Sequence, residues 1–198
     1  MTDRSDATLR FYADHSKTYA QDTGGSTSPH LEAFMAELSP GASVLELGCG
    51  SGRDSAAMLA RGFAVTPTDG TPEMAAEASK RLAIPVSVLP FSEIAAVAAY
   101  DAVWANACLL HVPRADLPAV LQAICGALRP GGLFYASYKA GEAEGFDGLG
   151  RYYNYPDEAW LRHAYGQGWS SIIIEAAAGS GYDRVPTRWL HVTARSMA

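Results

Sequence analysis

The feature of the sequence that most constrains the fold is a glycine-rich turn that follows a short apolar run. Residues 43–47 read Ser-Val-Leu-Glu-Leu, which is typical of a buried strand, and residues 48–52 read Gly-Cys-Gly-Ser-Gly. The next residues favour a helix that extends to Arg61 and ends at Gly62. Glycine tolerates positive φ and lets a ligand approach the main chain, and a helix N-terminus offers free N–H groups. The segment therefore predicts a strand, loop and helix unit that can bind the polar or anionic edge of a ligand.

The same alternation of strand and helix patterns continues along the chain. Further strands are predicted at 63–69, 85–89, 101–105, 133–138, 171–175 and 189–194, with helices at 31–38, 71–82, 117–128 and 157–165. This order predicts an α/β fold, a Rossmann-like, doubly wound and mostly parallel sheet of seven strands with helices on both faces. We expect a helical cap segment over 1–40, although residues 1–30 are polar and turn-rich, and the Rossmann-like domain over 41–198. Ligands of such sheets bind at the carboxyl ends of the strands, here strands one, two and four.

Composition narrows the class of protein and the partners. The 198 residues are 48% apolar and 18% charged, which is typical of one globular domain. The net charge of −6 argues against nucleic acid as a partner. The sequence has neither an apolar run of about 20 residues nor a signal-peptide pattern, and its three cysteines form no paired motif. We expect a cytoplasmic protein with reduced thiols and no membrane partner, as a monomer or homodimer.

The glycine loop fits one class of nucleotide-like cofactor better than another. A dinucleotide site needs G-x-G-x-x-G, and Arg53 stands where the third glycine belongs, which argues against a nicotinamide-dependent oxidoreductase. The pattern is instead E-x-G-x-G-x-G, beginning at Glu46. Asp69 follows Gly48 by 21 residues, at the end of the second predicted strand, where an acid can bind ribose hydroxyls.

With two further segments, the sequence over residues 44–138 resembles the class I S-adenosylmethionine-dependent methyltransferases. These segments are Tyr-Asp-Ala-Val-Trp-Ala-Asn at 100–106 and Leu-Arg-Pro-Gly-Gly-Leu at 128–133. Residues 52–55 are similar to a small-molecule branch of thiopurine and tellurite-resistance type. The resemblance implies S-adenosylmethionine as cofactor and methyl transfer to a small-molecule acceptor by in-line displacement, mainly through positioning. A non-catalytic module that binds the same cofactor is the alternative.

The resemblance also implies where the cofactor binds. Gly48, Cys49 and Gly50 would face its methionine part, Glu46 would lie near its ammonium group, and Asp69 would take the ribose hydroxyls. The other candidates are Gly70, which leaves room for the ribose; Met74, which packs on adenine or in the core; Phe91 and Ser92, where many relatives carry an acid; Asn106 at the end of strand four; and Tyr19, a cover or a surface-packing tyrosine.

Residues for the acceptor are predicted from the remaining polar segments. His111 is a candidate general base, needed only when the acceptor atom is protonated, or a structural histidine. Residues 139–156 are rich in glycine and tyrosine, and we expect a lid with Arg151 and Tyr152 facing a small substrate, or else a mobile surface loop. Arg188 is a third candidate on the same edge. Cys49 and Cys108 lack an activating base, and the histidines lack metal-ligand spacing, so no metal is expected.

Overall fold

A seven-stranded sheet forms the centre of the molecule, as the sequence predicts. The computed structural model describes residues 3–198, with side chains from residue 6 onward. The sheet has the order β3-β2-β1-β4-β5-β9-β8, with β1 to β5 parallel, β9 antiparallel to β5, and β8 antiparallel to β9. Its strands are β1 (Ser43–Glu46), β2 (Ala64–Asp69), β3 (Ser87–Val88), β4 (Tyr100–Ala105), β5 (Leu128–Lys139), β8 (Trp169–Ser180) and β9 (Pro186–Ser196).

Helices cover both faces of this sheet. They are α1 (Asp3–Asp22), α2 (Leu31–Ala36), α3 (Arg53–Ala60), α4 (Pro72–Leu82), α5 (Leu117–Ala127) and α6 (Glu158–Tyr165). One apolar cluster packs α5 and α6 against the sheet, and a second packs α2 and α3 against the other face around the buried Trp104. The predicted start of α4 is confirmed, because the Thr71 hydroxyl accepts the Met74 N–H and Pro72 occupies the first turn.

Three features of the structure were not predicted in detail. Although the helical cap expected over 1–40 had no predicted helix before residue 31, residues 3–22 form one helix of 20 residues. Its inward positions are Thr8, Tyr12, Ser16 and Tyr19, at helical spacing but polar or amphipathic, so apolar periodicity does not detect them. Strands β8 and β9 are longer than predicted and form one hairpin. A two-stranded hairpin, β6 (Gly145–Phe146) with β7 (Tyr152–Tyr153), lies within the predicted lid.

The order of the strands reverses at β1, which lies between β2 and β4. The chain leaves β1 toward one side of the sheet and later returns on the other side, which opens a crevice at the carboxyl ends of these strands. Glu46, Asp69 and Ala105 end β1, β2 and β4 at this crevice. Throughout residues 3–198, no helix has both the length and the apolar character needed to cross a membrane.

Candidate functional site

A cavity opens at the crevice beyond β1, β2 and β4. It encloses about 900 Å³, including space open to solvent. Ten of the predicted cofactor-binding residues line it: Tyr19, Glu46, Gly48, Cys49, Gly50, Asp69, Gly70, Met74, Phe91 and Asn106. Ser92 does not; it lies in an adjoining cleft beside Phe91, because the short 3-10 turn at Phe91–Glu93 directs it away from the cavity.

The glycine loop is packed closely against the ends of β2 and β4. The Cys49 N–H donates to the Thr68 carbonyl at 2.8 Å, and the Gly50 N–H donates to Oδ2 of Asp69 at 3.0 Å. Gly48 has φ +61°, and a Cβ there would lie 2.5 Å from Cβ of Cys108. Both the positive φ and this contact require glycine at position 48. At Gly48 and Gly50 the loop therefore exposes main chain to the cavity.

Asp69 is fixed at the wall of the cavity by the main chain around it. Its Oδ1 accepts the Thr71 N–H at 3.1 Å, and its Oδ2 accepts the Gly50 N–H. Burial raises the pKa of this carboxyl to about 6, although these hydrogen bonds favour its charged form. A carboxylate oxygen has more than one lone pair, so both oxygens retain capacity to accept from a ligand hydroxyl.

Glu46 is a nearly buried carboxyl group on the cavity wall. The Ser55 hydroxyl donates to its Oε2. Burial raises the pKa of Glu46 to about 8, with Ser55 acting in the opposite direction. At neutral pH the free protein therefore holds Glu46 mostly protonated, and a cation bound beside it would favour its ionised form.

Asp54 is a site residue that the sequence reasoning missed. Its carboxylate accepts hydrogen bonds from the Ser28 N–H (3.2 Å), Trp104 Nε1 (3.1 Å), Asn106 Nδ2 (3.2 Å) and Arg53 Nε (3.0 Å). It joins the glycine loop to the end of β4 and to the segment before α2. One feature of the sequence could have indicated an acid here: Trp104 lies in a strand expected to be buried, and a buried indole N–H needs a hydrogen-bond acceptor.

Helix α1 covers the cavity through two tyrosines. Tyr12 and Tyr19 pack edge to face, with ring centres 5.1 Å apart. Tyr19 lies over the glycine loop, with its Cε1 3.7 Å from where a Cβ of Gly50 would stand. Tyr12 was missed from the sequence because its partner, His111, is 99 residues away.

Hydrogen bonds occupy both ring nitrogens of His111. Nδ1 lies 2.6 Å from the Tyr152 carbonyl, which can only accept, so Nδ1 carries the proton. Nε2 therefore accepts from the Tyr12 hydroxyl at 3.0 Å. Burial lowers the pKa of His111 to about 3, which makes it a weak base. The general-base role stays a prediction, and this geometry favours the structural alternative.

A second cavity adjoins the first, and the two share lining residues: Tyr12, Tyr19, Thr23, Arg53, Asn106, Ala107 and His111. It encloses about 1190 Å³, including space open to solvent, between α1, the end of β5 and the β8–β9 hairpin. Aromatic rings and cationic groups form much of its wall. Two cavities that meet at common residues can hold two ligands in contact.

The structure places the three predicted acceptor residues differently. Arg151 lines the second cavity, but its guanidinium forms a buried ion pair with Asp147 at 2.7 Å. Tyr152 is buried in the β6–β7 hairpin, where its N–H donates to the Thr8 hydroxyl, and it does not line the cavity. Arg188 is exposed and does not line the cavity. Side chains alternate between the two faces of β9, so Arg188 points away from the cavity that its neighbour Trp189 lines.

Comparison with known sequences finds similarity to methyltransferases. A family model described as a methyltransferase domain matches residues 44–132. A ubiquinone biosynthesis O-methyltransferase of Xanthomonas axonopodis pv. citri is 36% identical over 115 residues, 54% of this chain and 47% of that protein. A protein of the same name from a Methylobacterium species is 33% identical over 103 residues, 49% of this chain and 41% of its own length. The matched region thus spans about half the length of these curated relatives.

Comparison with solved structures agrees with the fold. The 1,6-didemethyltoxoflavin-N1-methyltransferase of Burkholderia thailandensis, solved with S-adenosylhomocysteine, has a TM-score of 0.73 and 24% identity, covering 98% of this chain and 87% of that one. The magnesium protoporphyrin IX methyltransferase of Synechocystis PCC 6803 has a TM-score of 0.72 and 19% identity, covering 98% and 100%. Over residues 44–132 the chain therefore matches the methyltransferase domain, and the ordered motifs and the doubly wound sheet agree with that match.

Proposed function

We propose that the protein binds S-adenosylmethionine in the first cavity and transfers its methyl group to a small molecule in the second. The observation that carries this proposal is that the two cavities meet at Tyr12, Asn106 and His111, beyond the carboxyl ends of the strands. A donor and an acceptor bound on either side of this junction would be in contact, as in-line displacement of the methyl group requires. Residues 1–40 would act as a helical cap over both ligands.

The residues of the first cavity suit the cofactor. Gly50 and its neighbours expose main chain, as a closely bound ligand needs. Asp69 retains acceptor capacity for the ribose hydroxyls, and Glu46 places a carboxyl where an ammonium group would neutralise it. Met74 and Phe91 add apolar surface suited to the adenine ring. Stacking and main-chain groups would then recognise adenine, without the acid common among relatives.

The protein contributes mainly positioning to the reaction. S-adenosylmethionine supplies a methyl group that its sulfonium already activates. The chain must orient the acceptor and exclude water, and Tyr12 and Tyr19 are placed to do both at the junction. His111 holds the Tyr12 hydroxyl in place through Nε2. A general base is required only for an acceptor atom that carries a proton, and the hydrogen bonds at both ring nitrogens of His111 leave it poorly suited to that role.

Calorimetric titration with S-adenosylmethionine tests the binding half of the proposal, and formation of S-adenosylhomocysteine with a panel of small acceptors tests the transfer half. We expect both. Cofactor binding without product would instead indicate a non-catalytic binding module, and absence of binding up to millimolar cofactor would refute the proposal.

Replacing Asp69 by Ala tests the ribose contact. We expect cofactor binding to weaken by about 1–3 kcal/mol, the range for hydrogen bonds to a charged group. Asp101→Ala is the matched control, because Asp101 is the second residue of β4, at the amino ends of the strands and away from the cavity, where it bonds Ser43 and Arg129. Equal affinity in wild type and Asp69→Ala would show that Asp69 has been assigned wrongly.

A further inference from the structure

The second cavity contains a buried lysine that the proposed methyl transfer does not use. Lys139, the last residue of β5, is 3% exposed and lines the cavity. Its Nζ lies 2.8 Å from Oδ2 of Asp183 and 4.7 Å from the centre of the Tyr153 ring. Burying an ammonium group is costly, and a buried ion pair often contributes no more stability than apolar residues of the same size. The position of this charge on a cavity wall therefore points to a ligand.

The two buried ion pairs at this cavity differ in how firmly the acid is held. Asp147 uses both oxygens: Oδ1 accepts the main-chain N–H groups of Leu149 and Arg151, and Oδ2 accepts Nε and Nη2 of Arg151. Its side chain is 5% exposed. This ion pair is part of the β6–β7 hairpin, so a ligand carboxylate could not replace Asp147 beside Arg151 without disrupting the hairpin.

Asp183 is held less firmly. It lies in the turn of the β8–β9 hairpin, its side chain is 17% exposed, and besides Lys139 its carboxylate accepts the Val185 N–H at 3.3 Å. A surface turn moves at lower cost than a packed strand. An incoming carboxylate could therefore take the place of Asp183 beside Lys139 while the hairpin strands stay fixed.

The walls around Lys139 are aromatic. Tyr153, Tyr182 and Trp189 line the same cavity, and flat rings favour a flat ligand through stacking. The junction with the first cavity lies at Tyr12, Asn106 and His111. A planar molecule with an acidic group at one end and a methyl-accepting atom toward the junction matches this arrangement.

We propose that Lys139 binds a carboxylate of the methyl acceptor, that Asp183 holds this position in the free protein, and that the acceptor is an aromatic carboxylic acid. The proposal rests on the proposed function, because it names the substrate class of the same site. It also assigns to the hairpin turn a role in admitting the acceptor, since Asp183 must leave Lys139 when the acceptor binds.

Pairs of an aromatic acid and its neutral counterpart test the proposal, one pair for each accepting atom. The pairs are 3,4-dihydroxybenzoate with catechol for oxygen, 4-aminobenzoate with aniline for nitrogen, and 4-mercaptobenzoate with thiophenol for sulfur. Binding is measured by calorimetry, with and without S-adenosylhomocysteine, and transfer by product formation. We expect at least one acid to bind about tenfold or more tightly than its neutral partner, as for a charge-assisted hydrogen bond.

Two variants with opposite expected effects separate binding from folding. Lys139→Gln should remove the preference for the acid and leave the neutral probe unchanged. Asp183→Asn should tighten binding of the acid, because Lys139 loses its internal partner. Lys80→Gln is the control for net charge, since Lys80 is exposed and pairs with Glu77 on α4; it should change neither affinity.

The proposal is overturned if no acid binds, if acid and neutral probes bind alike, or if Asp183→Asn weakens the acid. Loss of both probes in Lys139→Gln would indicate a structural role and also overturn it. Its failure differs from failure of the proposed function: transfer to a neutral probe alone refutes the acid preference only, whereas absence of cofactor binding refutes methyl transfer.

Discussion

At the scale of single residues, Glu46 is a carboxyl group whose charge the free protein disfavours. Its pKa, raised to about 8 by burial, keeps a proton on it at neutral pH. Between the ordinary value near 4.5 and about 8, the folded state binds more protons than the unfolded state. This residue therefore makes the free protein less stable as the pH rises through that window. A bound ammonium group would reverse the preference.

Binding of S-adenosylmethionine at pH 7 is therefore expected to release roughly one proton from Glu46. Calorimetry in phosphate and in Tris, whose ionisation enthalpies differ, measures the number of protons. The Glu46→Gln variant has no proton to release there, so the difference between wild type and variant isolates this group. Equal proton release in the two proteins would contradict the placement of the ammonium beside Glu46.

At the scale of elements, the loop between β1 and α3 is defined by close main-chain packing. Gly48 combines φ +61° with a Cβ position 2.5 Å from Cβ of Cys108. Gly41 has φ +75°, but a Cβ there would meet no atom within 4 Å. Both glycines have a left-handed backbone, but only Gly48 has an atom close to the position of a Cβ. Gly41 is therefore the control that separates the cost of the backbone conformation from the cost of the steric contact.

We expect Gly41→Ala to lower the free energy of unfolding by about 1–2 kcal/mol, the cost of left-handed backbone for an L-residue. Gly48→Ala adds a steric conflict with Cys108 and should cost clearly more, and it should also weaken cofactor binding because the loop must shift. Urea unfolding and calorimetry measure the two effects. Similar unfolding energies for both variants would mean that the loop relaxes without cost.

Local patterns explain how much of these elements the sequence could predict. The turn at Gly48 and the acid at Asp69 follow from neighbouring residues, and the structure places both at the crevice. The inward face of α1 could not be predicted, because it buries Thr8 and Tyr12 through hydrogen bonds to Tyr152 and His111. Such pairs are fixed by tertiary packing between segments far apart in the chain.

The acceptor side illustrates the same limit. The sequence drew attention to residues 139–156 through their glycines and tyrosines, and this segment does border a cavity. Which side chains face inward depended on the pairing of β8 with β9 and on the ion pairs of Arg151 and Lys139. Because side chains alternate along a strand, only one of the neighbours Arg188 and Trp189 can face the cavity. Which of them does so depends on the register of β9 with the strands it pairs with.

At the scale of the whole molecule, α1 stands between the two cavities and solvent. It contributes Thr8, Leu9, Tyr12 and Tyr19 to the first cavity, and it is attached through polar contacts to distant segments. Tyr12 bonds His111, and Asp22 accepts the Tyr182 hydroxyl of the β8–β9 hairpin at 3.0 Å. Contacts of this kind are weaker than the apolar packing that holds α5 against the sheet.

We therefore expect α1 to open more readily than α5 in the free protein and to gain protection when the cofactor site is filled. Hydrogen exchange with and without S-adenosylhomocysteine measures this: amides of residues 8–22 should exchange more slowly with ligand, while those of residues 117–127 change little. A ligand that binds only the closed form stabilises it according to its concentration relative to Kd, so protection of α1 should rise with ligand concentration. Unchanged exchange in α1 at saturating ligand would show that residues 1–40 do not act as a cap, because closure over a ligand must slow the opening of the segment that closes.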